Sequence, residues 1–171
     1  MEIHPLDSER ELEQAVQLTA AAWHEAFEHI LTEDELETTS NELLSDVSTK
    51  YANLQDMSKG LVLVADDREI LGWVSVTWHP ERTQDYTDDG EAEIRTLYVH
   101  PDRWNEEIGT ELLEEVIQRL PDSIEQVVLE TFQENQHGKS FYTSRGFNVR
   151  TTTEFEVAGN RYPSVVLTRD L

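Results

Sequence analysis

The chain has no cysteine, which removes disulfides, thiolate metal ligands and a cysteine nucleophile from consideration. It is also short of base: lysine occurs only at Lys50, Lys59 and Lys139, and 13 basic residues face 36 acidic ones, for a formal charge of −23. A ligand made of phosphates in series needs basic surface to neutralise it. Nucleic acid is therefore not expected as a partner. Long apolar runs are missing too, since no segment approaches the ~20 residues of a membrane span and none follows a basic N-terminal start. The expectation is a soluble, cytoplasmic protein without membrane contact.

What is present in excess is acid, in runs such as Asp7–Glu13, Glu33–Glu37 and Asp85–Glu93. Solvated faces account for any one run. Acidity spread along the whole chain with so little lysine resembles proteins of salt-accumulating halophiles, where a Debye length of ~3 Å at about 1 M salt screens self-repulsion. With 171 residues and 37% apolar content the chain has enough material for one core, and a single domain over 1–171 is expected.

Apolar periodicity orders the elements. Leu12, Val16, Thr19, Trp23, Phe27 and Ile30 recur at helical spacing, with Asp7 or Ser8 placed to cap the start, so a helix is predicted to about Leu31. Thr32 and Glu35 have capping-box spacing for a second helix. Between Thr38 and Lys59 the pattern is mixed helix and loop. "LVLVA" and "ILGWVSVTW" are strands joined by the polar turn "DDRE", with Gly72 a point of bulging or close approach. "EAEIRTLYVH" is a further strand, and Ile108, Leu112, Leu113, Val116, Ile117 and Leu120 form the stripe of a helix ending before Pro121. "EQVVLETF" is a strand, Gln136 to Ser144 a short helix closed by Gly146, and "FNVRTTTEFEV" with "YPSVVLTRDL" a last hairpin. The class is α+β, with a strand–helix–strand crossover at the centre of the sheet, where loop-to-helix anion sites belong.

Three stretches carry a family resemblance. "EAEIRTLYVHP", "RWNEEIGTELL" and "NQHGKSFYTSRGF" resemble the fourth strand, the pyrophosphate loop with its helix, and the asparagine-to-Gly-Phe segment of the GNAT superfamily of acetyl-CoA-dependent N-acetyltransferases. The last is the most specific, with Asn135, Gly138, Tyr142, Gly146 and Phe147 at the family's spacing. The resemblance implies the GNAT acyl-CoA N-acyltransferase fold: a mixed, mostly antiparallel sheet of about seven strands with about four helices. It also implies acetyl-CoA as co-substrate and a primary amine, of a small molecule or peptide, as acceptor.

The loop departs from the family pattern. Arg103 or Trp104 stands near its first basic position, Asn105 and Glu107 occupy glycine positions, and Gly109 with Thr110 keeps the end. Phosphate is held by main-chain N–H groups and the helix dipole, which require no particular side chain. Glu106 and Glu107 nonetheless stabilise an empty helix start and can occupy the anion site themselves, so a non-catalytic binding or regulatory module is the alternative reading.

Carried over residue by residue, the resemblance implies cofactor contacts from Leu97, Tyr98 and Val99, from the loop Trp104, Asn105, Glu106, Glu107, Ile108, Gly109 and Thr110, and from Asn135 and Tyr142. The Val99 amide would stabilise the oxyanion. Tyr142 would be the general acid, though a core tyrosine on a short helix fits the local pattern equally. Asn135 would bond the pantetheine, or cap its helix, or both. Glu93 would be the general base; it lies six residues before Val99, an even number that puts both on one face of a regular strand. Trp23, His24, Phe27, Tyr51, Trp78 and His79 are candidates for the acceptor pocket, with core packing the competing account of Trp23 and Phe27. His24, His29, His79, His100 and His137 show no metal-like spacing, and no metal is expected. A homodimer through the closing hairpin is implied by relatives that pair there.

Overall fold

The computed structural model describes residues 1–171. Helix α1 (Glu9–Phe27) starts at Ser8, whose Oγ accepts the Glu11 N–H at 3.2 Å. It stops four residues short of the predicted end because the N–H groups of Ile30 and Leu31 both turn back to the Phe27 carbonyl, at 2.9 and 2.8 Å. Leu31 is buried through that turn, which is why the apolar spacing runs on after the helix has ended. Helix α2 (Glu33–Leu44) carries the expected capping box of Thr32 and Glu35. Residues 47–55 form a further helix, α3 (Val47–Gln55), whose Val47, Tyr51 and Leu54 pack on the core.

The sheet contains β1 (Glu2–Pro5), β2 (Gly60–Asp66), β3 (Ile70–Thr77), β4 (Glu91–Val99), β5 (Gln126–Phe132), β6 (Asn148–Val157) and β7 (Asn160–Asp170). Their order is β1-β2-β3-β4-β5-β7-β6, and only β4 with β5 is parallel. That is the mixed, mostly antiparallel sheet expected, with α4 (Ile108–Gln118) as the crossover and α5 (Gln136–Thr143) before the final hairpin. Two elements go beyond those predicted from the apolar pattern. Helix α3 makes five α-helices rather than four, and β1 is four residues, too short for alternation to register.

Two layers cover the sheet. Leu112, Leu113 and Val116 of α4 pack on one face against Val74, Ala92, Ile94 and Leu129. Leu12 and Val16 of α1 pack on the other against Val62, Val64 and Trp73. Gly72 sits where β3 passes β4, and a Cβ there would lie 2.9 Å from the Tyr98 carbonyl oxygen. The β6–β7 connection is a two-residue turn with positive φ at Ala158 and Gly159 (50° and 83°), matching the right-handed twist of the paired strands. No helix is long and apolar enough to cross a membrane.

Glu35 ties the hairpin to the helical layer. It is only 4% exposed; its carboxylate accepts from the Tyr162 hydroxyl, from the Thr32 amide at 2.9 Å and from Asn160 Nδ2 at 3.1 Å. These donors, Tyr162 first, hold its pKa down to about 2. A depressed carboxylate pKa contributes stability that is fully present above the unfolded value of ~4.3 and is lost as pH falls through the folded value. Glu35→Gln is expected to cost about 1–3 kcal/mol near pH 7. Unfolding curves of the two proteins should converge as pH drops from about 4.5 towards 2; a gap independent of pH would show that the charge contributes nothing.

Candidate active site

Strands β4 and β5 pair at Glu91↔Gln126, Ala92↔Val127 and Glu93↔Val128, and no rung follows. Beyond that point they part. On its other side β4 stays paired with β3 through Val99, and the His100 N–H bonds the Leu71 carbonyl at 2.8 Å. An antiparallel ladder alternates, so Tyr98 and Thr96 bond β3 while the main-chain groups of Leu97 and Val99 point away from it, into the gap. The gap is a cleft of about 300 Å³ lined from both strands, from the start of α4 and from α5.

Its charge runs against the rest of the chain. Arg95, Arg103 and Arg145 line it with two carboxylates, Glu107 and Glu130, in a protein with 36 acidic and 13 basic side chains. The loop before α4 explains how its glutamates are accommodated. Asn105 and Glu107 take the left-handed conformation, φ 69° and 66°. Glu106 is drawn off onto Arg103 Nε at 2.6 Å, and Glu107 is exposed, 4.0 Å from Arg145, with no side-chain bond to the helix start it caps. The first-turn amides at Ile108, Gly109 and Thr110 have no intrahelical partner, so they are available to an anion. Arg145 is held beside them: its Nε and Nη2 donate to Thr110 Oγ1 at 3.0 and 2.6 Å, and it stacks 3.9 Å from the Phe141 ring.

Tyr142 stands on α5, edge-on to Phe141 and Phe147 with ring centroids 5.1 and 5.4 Å away, and lines the cleft. Burial pushes its phenol pKa well up, with Tyr98 adding to the shift, so the hydroxyl keeps its proton across the physiological range. Asn135 caps α5, accepting the Gly138 N–H at 3.0 Å and donating to Thr131 Oγ1 at 2.9 Å, while also lining the cleft. Trp104 donates Nε1–H to the Val99 carbonyl at 2.9 Å and stacks on His137 at 5.2 Å, joining the two sides of the opening. That bond satisfies one of the β4 main-chain groups in the gap.

Strand β4 carries a bulge: Ser75 and Val76 pair with Thr96 and Ile94, leaving Arg95 as the extra residue. Counting by twos therefore fails across it. Leu97 and Val99 pack with Ile94 and Ala92 on the α4 side, so Glu93 lies on the opposite face from Val99, contrary to the same-face expectation. Glu93 is buried and accepts from the Gln84 amide (2.8 Å), the Tyr86 hydroxyl (2.9 Å), Thr87 Oγ1 (3.3 Å) and Arg95 Nη1 (3.1 Å). It anchors the 79–90 loop and is absent from the cleft lining. Besides Glu107 at the start of α4, the carboxyl that lines the cleft is Glu130 on β5. Burial pushes its pKa up, and Ser164 Oγ donates to it at 2.6 Å.

The description "Acetyltransferase (GNAT) family" matches residues 20–147, three quarters of the chain. The chain belongs to the GNAT acetyltransferase family. A search of curated proteins finds no match. Among solved structures the chain is similar to a PaiA N-acetyltransferase from Thermoplasma acidophilum in complex with coenzyme A, at 22% identity, TM-score 0.71, covering 99% of this chain and 98% of that one. It is also similar to a GCN5-related N-acetyltransferase from Rhodopseudomonas palustris at 17% identity and TM-score 0.77, covering 99% and 95%. The ribosomal-protein-S18-alanine N-acetyltransferase from Escherichia coli aligns at 18% identity and TM-score 0.61, over 99% of this chain and 92% of that one. These likenesses show the shared fold, and the family match makes the chain an acyltransferase.

As a GNAT protein it brings together most of the residues expected from its sequence. Leu97, Tyr98, Val99, Trp104, Asn105, Glu107, Ile108, Gly109, Thr110, Asn135 and Tyr142 all line the cleft; Glu106 and Glu93 do not. Of the six acceptor-pocket candidates only Phe27 lines it. Trp23 donates to the Tyr98 hydroxyl at 2.9 Å, His24 meets Ser40, Tyr51 packs under α1, Trp78 packs on the α4 side, and His79 bonds the Glu81 amide. Glu130, Arg95 and Arg145 were not singled out in the sequence. Only the register of β5 against β4 marks the first two. A sixth histidine, His4, lies with Asp7 and Glu11 so that one ligand-type atom from each falls within 4.8 Å of the others.

Holding a side chain in the left-handed region costs roughly 1–2 kcal/mol, offset by ~0.3–1 kcal/mol for an acid at a helix start. Glu107→Gly is therefore expected to stabilise the fold by about 0.5–1 kcal/mol in denaturant unfolding. Equal or lower stability would mean that the helix dipole outweighs the backbone strain.

Proposed function

We propose that the chain transfers an acetyl group from acetyl-CoA to the primary amine of a small molecule or peptide by direct attack. The observation that carries this reading is the parting of β4 from β5 after Glu93, which turns the main-chain groups of Leu97 and the amide of Val99 into a cleft that leads to the free amides of α4. The residues fit the cofactor: an extended amide chain such as pantetheine pairs with open strand groups, and a diphosphate suits helix-start N–H groups beside Arg145. Acetyl-CoA supplies the activated thioester.

The chain's own residues then have distinct tasks. The Val99 amide is placed to hold charge developing on the thioester oxygen, a backbone donor that costs no reorganisation. Tyr142 holds a proton for the departing sulfur, and burial keeps it there. Glu130 takes the base role that the family resemblance implied for Glu93, since it lies in the cleft and Glu93 is committed to four donors. A raised carboxyl pKa improves a base, provided the pH lies above it.

The acidic surface belongs to the same proposal as an adaptation to concentrated salt, and the β6 edge, with Val149 56% and Phe155 36% exposed, is the surface through which a homodimer would form. The cytoplasm is the proposed compartment.

Thermal unfolding in molar KCl tests cofactor binding: CoA at about 100 times its Kd is expected to add ~2.7 kcal/mol. No shift at any salt would sink the reading. Tyr142→Phe should keep CoA binding while kcat falls by ~10²–10⁴-fold. Glu130→Gln should lower kcat by a similar factor of about 10² and remove the rise of rate with pH through the elevated carboxyl pKa; a variant that keeps that limb would exclude Glu130 as the base.

A further inference from the structure

We infer that the acceptor amine carries an acid group of its own, as a free amino acid does, and that the Arg95 guanidinium recognises that group beside Glu130. This rests on the acetyl-transfer reading above and adds to it the class of the acceptor.

The paired rungs of β4 and β5 end at Glu93↔Val128. Arg95 on β4 and Glu130 on β5 each lie two residues past that last rung, so the two side chains stand at the fork where the strands begin to part. Both line the cleft. Arg95 is the extra residue of the β4 bulge, and bulges re-aim a side chain that regular alternation would direct elsewhere. Its side chain is 41% exposed.

Arg95 is the cation that neutralises the buried Glu93, but that task uses only one of its donors. The Glu93 carboxylate already accepts from the Gln84 amide and the Tyr86 and Thr87 hydroxyls. Arg95 gives it a single bond, from Nη1 to Oε1 at 3.1 Å. A guanidinium carries five donors in a planar fork, and the remaining ones make no hydrogen bond to the protein. A half-used fork of this kind, next to a carboxyl and at the edge of a cleft, is the geometry that takes a carboxylate in two parallel bonds.

The pair is complementary to one kind of molecule. Glu130 matches an amine that arrives as ammonium and must lose protons, whereas an acceptor without an acid group leaves the Arg95 fork unused. The overall charge of −23 attracts a simple ammonium more than a zwitterion, so a local cation is what lets the acid-bearing acceptor be preferred. Ala22, Ala26 and Phe27 of α1 complete this end of the cleft, leaving apolar room for a side chain between the two charged ends.

The test compares matched pairs of acceptors: L-leucine with isoamylamine, and L-phenylalanine with 2-phenylethylamine. CoA release is measured with acetyl-CoA in molar KCl, for the wild type and for Arg95→Ala and Arg95→Lys. The wild type is expected to favour the acid-bearing member of each pair through a KM at least about tenfold lower, the worth of one charge-assisted contact. Arg95→Ala should collapse that preference mainly through KM, and Arg95→Lys should restore part of it. A thermal shift with CoA that matches the wild type shows each variant to be folded. A preference for the decarboxylated member, or one unchanged in Arg95→Ala, would overturn the proposal, as would CoA binding without turnover of any acid-bearing amine. If CoA does not bind, the acetyl-transfer reading fails by itself. Saturation-transfer NMR of the same pairs on the chain alone still decides the acceptor class: amino acids that bind the wild type and not Arg95→Ala support it, and equal binding of both members refutes it.

Discussion

A backbone amide or carbonyl turned into a protein interior needs a partner, and β4 has a stretch of them that its neighbour does not supply. The strand is held on one side by β3 through Val99 and loses β5 after Glu93. The remaining groups at Leu97 and Val99 are strand-like donors and acceptors waiting for something extended. Trp104 satisfies one of them, the Val99 carbonyl. The bulge at Arg95, the tyrosine of α5 and the loop into α4 all derive their meaning from that unpaired edge, since they surround it.

The electrostatic arrangement is consistent with the same centre. A chain of charge −23 has no general attraction for a phosphorylated ligand, and two of its carboxylates stand in the loop into α4. Local geometry treats the two differently: Glu106 is paired with Arg103, while Glu107, in the left-handed backbone, is exposed beside Arg145 at the lining of the cleft. Side chains can carry an unfavourable sign where main-chain dipoles carry the binding, because the two point in different directions from the same Cα.

Much of the architecture was legible in local chemistry. Ser8, the Thr32–Glu35 box, the stripe of α4 and the β-branched and aromatic runs of β2, β3 and β7 identify their elements without reference to one another. Strand β1 was not legible, because four residues ending in proline show no period, and it exists only by pairing with β2. Helix α1 was overextended, since Ile30 and Leu31 continue the apolar spacing through a turn. Of the site, the cleft-lining residues Leu97, Val99, Asn135 and Tyr142 are marked in the sequence by the family resemblance alone. The face of Glu93 was misjudged for a definite reason: one extra residue at Arg95 inverts the alternation that the count relied on.

The sequence by itself determined the order and kind of the elements, the capped helix starts, the Ala158–Gly159 turn and the acidic character of the surface, all of which depend on a residue and its near neighbours. Which carboxylates reach the cleft, where β4 and β5 separate, and how Glu106 and Glu107 are partnered were decided only by the tertiary structure. A bulge, a register and an ion pair belong to two segments at once, so neither segment alone contains the information that sets them.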